Sequence, residues 1–117
     1  MKIVKDKITI AELAKMAEEK FGDLVKAVVD VDKEIMALDG DLHADEERLL
    51  LEKGSKQKNL WGINLYPLLP QKDWIEFDSM INLRPADGNK SRGVDNISIQ
   101  QKIISIVNKL VEGNHVT

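Results

Sequence analysis

A chain of 117 residues is long enough to bury roughly 65–70% of the surface its unfolded form exposes, so one domain can hold together without staples. It has no cysteine, which excludes disulfides, thiolate nucleophiles and cysteine-ligated zinc, and sets the expectation of a cytoplasmic protein. The net charge of −3 makes a phosphate backbone an unfavourable partner, and charges interrupt every apolar run, so neither nucleic acid nor a membrane is expected.

Thr9 followed three residues later by Glu12 reads as a capping box, with Ile8 and Leu13 as its hydrophobic staple, and predicts a helix that ends at Gly22. From residue 24 to 38 the apolar period falls to two. Val25, Ala27, Val29, Val31, Ile35 and Ala37 share one phase and Lys26, Asp30, Asp32 and Glu34 the other, which predicts one long strand, bulged or broken near Lys33. Residues 44–53 read as a connecting helix whose acids Asp45, Glu46 and Glu47 offset the dipole at its start, with His43 near the cap. The alternations of Trp61, Ile63 and Leu65, and of Ile75, Phe77, Ile81 and Leu83, predict a hairpin whose long loop carries Pro67 and Pro70. Trp74 and Met80 fall on the polar phase of that hairpin, marking either a partner surface or a bulge that returns Trp74 to the core. Ser98 and Gln101 read as a second capping box, opening a helix with Ile103, Ile104, Val107 and Leu110 on its stripe and Gly113 as its stop.

The order α-β-α-β-β-α describes one α+β domain over residues 1–117. Its mainly antiparallel sheet has three or four strands, with three helices packed on one face. The other face would carry Asp30, Asp32, Glu34, Asn64, Glu76, Asp78, Asn82 and Arg84 into solvent.

The blocks VVDVDKEIMALDGDLHADEE, LWGINLYP and FDSMINLRPADGNKSRGV resemble a small prokaryotic family known only as a domain of unknown function. The likeness spans nearly the whole chain. It implies a shared fold and no particular chemistry.

The stretch NLRPADGNKSRGVDN, just ahead of the last helix, carries the candidate site. Arg84, Gly88, Asn89, Lys90, Ser91, Arg92 and Gly93 could receive an anionic or phosphate-bearing ligand, with the arginines as charge contacts, Lys90 as support and free amides at the helix start. Gly88-Asn89-Lys90-Ser91 is not a P-loop, because the glycine five positions before the lysine is missing. The plain alternative is a connecting loop in which Asp87 and Asp95 pair locally with Lys90 or Arg92. A competing class is a small enzyme in which Arg84 and Arg92 hold the substrate while Glu76, Asp78 or His43 moves a proton. A third is an interaction module, including a homodimer through the sheet face or the hairpin edge at Trp74. His43, Asp45 and Glu46 also have the donor types of a metal site, but a solvated helix start explains them as well, and neither a metal nor a cofactor is expected.

Overall fold

A computed structural model describes residues 1–113. In chain order its elements are β1 (Lys2–Val4), β2 (Ile8–Thr9), α1 (Ile10–Lys20), β3 (Val25–Asp30), β4 (Ile35–Leu38), α2 (His43–Glu52), β5 (Leu60–Leu65), β6 (Ile75–Glu76), α3 (Ile97–Leu110) and β7 (Val111–Glu112). The fold is α+β, with three helices, a five-stranded antiparallel sheet in the order β1-β4-β3-β5-β6, and a two-stranded parallel pair of β2 with β7. No helix among the described residues is long and apolar enough to cross a membrane.

The first helix begins as its sequence dictates. The Thr9 hydroxyl accepts the Glu12 N–H at 3.1 Å while the Glu12 carboxylate accepts the Thr9 N–H at 3.2 Å, satisfying two otherwise orphan donors. The long strand expected over residues 24–38 is instead a hairpin of β3 and β4, and the expected break at Lys33 is a full reversal of the chain. Asp30 causes it: one carboxylate oxygen accepts the N–H groups of Asp32 and Lys33, both at 2.9 Å, and the other accepts the Ser55 hydroxyl at 2.6 Å. The reversal inverts the phase. Met36 and Leu38 join Val25, Ala27 and Val29 in one core, while Ala37 turns with Val28 into the other.

Both faces of the sheet are therefore covered, and the expectation of three helices on one face does not hold. Leu13 and Ala17 of α1 and Ile103, Ile106, Val107 and Leu110 of α3 pack with Trp61, Ile63 and Leu65 on one side. On the other side Leu50 of α2 packs with Val28, Ala37 and Leu60. Asp30, Asn64 and Asn82, expected in solvent, are consequently buried beneath α2 and the chain that follows β6. Glu46 is drawn in as well. Fully buried, it accepts the Gly40 N–H at 2.8 Å through one carboxyl oxygen and has no partner for the other, and burial pushes its carboxyl up to about 9. Such burial favours the protonated acid over a charge that offsets the helix dipole.

The second predicted hairpin is shorter than its alternation suggests, since β6 pairs with β5 only at Asn64 with Glu76 and Leu65 with Ile75. Beyond that point a side chain replaces the strand. Asn82 Oδ1 accepts the Gly62 N–H at 2.8 Å, and its amide nitrogen donates to the Gly62 carbonyl at 2.9 Å and to the Arg92 carbonyl at 2.9 Å. Residue 62 must be glycine for this approach, because a Cβ there would lie 2.5 Å from the Ser79 Cβ. Trp74 sits in the main core with its indole N–H donating to the Leu69 carbonyl, whereas Met80 is 62% exposed. At the last helix, Asn96 rather than Ser98 is the cap, its side chain accepting the Ile99 N–H at 3.1 Å, and Leu110 leads directly into β7 before Gly113 is reached.

Candidate functional site

The segment from residue 84 to 93 is built around Asn89. This buried side chain donates to the carbonyls of Asn82, Ser91 and Gly93 and accepts the Asp95 N–H at 2.8 Å, so it fixes the loop from within. Gly88 supplies the left-handed turn that lets the Asn89 N–H return to the Arg84 carbonyl. Asp95 then takes the donors expected for a ligand, accepting the Lys90 N–H at 2.8 Å and the Ser91 hydroxyl at 2.6 Å, and these bonds hold its carboxyl below the ordinary value. Gly93 N–H donates to the Ser91 hydroxyl oxygen. The Lys90 amide and the Ser91 hydroxyl are therefore already taken by a carboxylate of the same chain.

The two arginines point to different clefts. Arg84 donates to the carbonyls of Gln57 and Leu60, each at 2.8 Å, and its guanidinium lies 4.1 Å from the centre of the Trp61 ring. This clamp fills one side of a cleft of about 530 Å3 beside α3, also lined by Lys58, Asp87, Gly88, Asn89 and Asn96. The Trp61 indole N–H and the Arg84 Nε–H are buried there without acceptors.

Arg92 belongs to a second cleft, of about 280 Å3, beside α2. Its Nε–H donates to the Asp78 carboxylate at 2.7 Å. Lys26, His43 and Asn64 complete the polar wall, and Leu42, Met80 and Ile81 form the apolar one. Lys26 and Asn64 are cross-strand partners on β3 and β5, so the sheet register itself sets them side by side.

The interior of this second cleft has three unusual features. Leu42, the N-cap of helix α2, offers no side-chain cap, and the N–H groups of His43 and Ala44 have no acceptor among the described residues. His43, 7% exposed, donates its Nε2–H to the Ile63 carbonyl at 2.8 Å, which fixes the tautomer and leaves Nδ1 as a lone pair without a donor. Burial lowers its pKa, the Ile63 bond and Asp78 oppose that shift, and Lys26 and Arg92 add to it. Asn64, 8% exposed, donates to Glu76 at 2.9 Å and to the Asp78 carbonyl at 3.5 Å, so its Oδ1 is the atom left buried and unpaired.

Of the acid/base candidates, His43 and Asp78 share this cleft with Arg92. Glu76 acts behind it, accepting from both Asn64 and the Tyr66 hydroxyl. Arg84 lies in the other cleft, so the two arginines do not clamp one ligand. Lys26 and Asn64 escaped the sequence reading because one looked like surface charge and the other like a polar strand position. Their opposition across β3 and β5 becomes visible only once the register is known. His43, Asp45 and Glu46 do not assemble a metal-binding group among the described residues, and His115 lies outside them.

Among protein families, one described as "Protein of unknown function (DUF5674)" matches residues 2–110. No curated protein and no solved structure matches the chain.

Proposed function

The chain belongs to this family of unknown function, and from the geometry of the cleft beside α2 we propose that it is a small-molecule binding module that receives an anionic group at the start of that helix. The observation that carries the reading is the uncapped first turn of α2, whose free amides meet the cleft wall bearing Lys26 and Arg92. Free N–H groups, the positive end of the helix dipole and two cations favour a carboxylate or phosphate together. The loop from residue 84 to 93 contributes through Arg92 and through the rigidity that Asn89 gives it. Its own amides serve Asp95.

The test is an amide-resolved NMR titration with inorganic phosphate and with 4-methylpentanoate. Saturable shifts are expected at His43 and Ala44, and Arg92→Gln, an exposed change, should weaken binding about tenfold, the worth of one charge-assisted hydrogen bond. Shifts confined to the Arg84 cleft, or none, would remove the reading.

The meeting of His43, Asp78 and Arg92 favours a second reading, in which the bound molecule exchanges a proton with His43 or Asp78 and is converted. Following the ligand's own spectrum for hours in the presence of the protein separates the two. Chemical change of the ligand indicates an enzyme, and an unaltered bound ligand a binding module.

A further inference from the structure

The anion reading accounts for Arg92, Lys26 and the α2 start, yet leaves three features of the same cleft without a role. Asn64 Oδ1 is a buried acceptor with no donor, and its amide cannot be reversed without breaking its bonds to Glu76 and the Asp78 carbonyl. His43 Nδ1 is a second acceptor, its lone pair fixed by the Nε2–H bond to Ile63. Leaving the buried Asn64 oxygen unpaired is unfavourable, and a bound N–H donor removes that cost. Leu42 and Met80, 58% and 62% exposed, line the same cleft together with Ile81.

We infer that the ligand is an α-amino acid with an apolar side chain, its carboxylate at the first turn of α2 and Arg92, its ammonium between Asn64 Oδ1, His43 Nδ1 and Asp78, and its side chain against Leu42, Met80 and Ile81. Each part follows from the chemistry of one wall. A bare phosphate would leave the apolar wall idle. A polyphosphate carries more negative charge than Lys26 and Arg92 offset beside the Asp78 carboxylate. A zwitterion satisfies both signs of charge at once. Size agrees, since about 280 Å3 falls just under the range of roughly 300–1,000 Å3 used by drug-sized ligands.

This inference rests on the anion reading of the same cleft, and a series of near-isosteric probes separates their failures. L-leucine, 4-methylpentanoate, which lacks the amine, and 3-methylbutylamine, which lacks the carboxylate, are titrated by calorimetry and by NMR of the Asn64 side-chain amide and the His43 ring. The expected result is leucine binding at least tenfold tighter than either truncated probe, with saturable shifts at both side chains. Equal binding of leucine and 4-methylpentanoate would overturn the amino-acid inference and leave the anion reading standing. Amine binding equal to leucine, or no binding by any probe, would overturn both. Met80→Ser, at an exposed position, should weaken leucine severalfold and leave glycine unchanged, and equal effects on the two would refute the placement of the side chain. Asn64→Leu should abolish the preference for leucine over 4-methylpentanoate, and if that variant does not fold the wild-type probe series still decides.

Discussion

Asp95 occupies the place that a phosphate would take in a glycine-containing loop before a helix, with the Lys90 N–H and the Ser91 hydroxyl as its donors. Removing it should therefore create an anion site rather than destroy one. In Asp95→Ala the backbone bond from residue 95 to Asn89 Oδ1 remains, so the loop keeps its shape while two donors become free. Phosphate should then shift the Lys90 and Ser91 amides saturably in the variant and leave both unmoved in the wild type. An NMR titration of the two proteins checks this, and unmoved amides in the variant would count against the substitution. The residue types of such a site were legible in the sequence, but its occupancy was not. Asp95 reads as a local counter-charge, and nothing in one dimension shows that two donors of residues 90 and 91 close on it. Arg84 and Arg92 illustrate the same limit. They are eight positions apart on one loop, and a stack on Trp61 and a bond to Asp78 send them to different clefts.

Among the elements, α2 departs furthest from its expected role. His43, Glu46 and Leu50 are spaced three and four apart, so all three project from one stripe, and that stripe docks on the sheet. The signal was present in the sequence but was masked by three consecutive acids that looked like a solvated helix start. The consequence is a pH dependence whose sign is set by Glu46. With the folded carboxyl at about 9 against 4.5 for the ordinary group, the folded chain holds a proton that the unfolded chain releases. This contribution to stability is full below pH 4.5 and declines as pH rises toward 9. Glu46→Gln keeps an oxygen for the Gly40 N–H and removes the slope, so it should stabilise by on the order of 2–3 kcal/mol at neutral pH and by little in acid. Urea unfolding of both proteins between acid and alkaline pH measures the difference, and a difference that does not grow with pH would show Glu46 to be ionised in the fold. His43 acts in the opposite sense, its lowered value costing stability as pH falls below its ordinary 6.5. The helices and the core positions Leu13, Ala17, Ile103, Val107 and Leu110 were read correctly because their period is local, whereas Ile104 is exposed and the last helix is capped by Asn96. The turn after β3 was read as at most a break because both sheet faces are buried, so alternation of polarity no longer marks direction. Strand β1 was missed because three residues interrupted by charge carry too little pattern.

On the scale of the whole molecule, the sheet divides a large core beneath α1 and α3 from a much smaller one beneath α2. The proposed ligand cleft lies on the thinner side, where less apolar burial resists local opening. One wall of that cleft, the chain carrying Asp78, Met80 and Arg92, is tied to the sheet largely through Asn82, whose side chain holds both polar groups of Gly62. The Gly62 amide proton is thus guarded by a side chain, while its neighbours in β3 are guarded by paired strands on both edges. Its hydrogen-exchange rate becomes a gauge of how often the cleft wall lifts away, separate from global unfolding. Gly62 should exchange faster than the β3 amides in the free protein, lose most of its protection in Asn82→Ala, and slow when the cleft is filled. Exchange of Gly62 at the β3 rate would mean that wall and sheet open as one unit. A single backbone proton would then report, without any assay of activity, the free energy that a ligand adds to closing its own site.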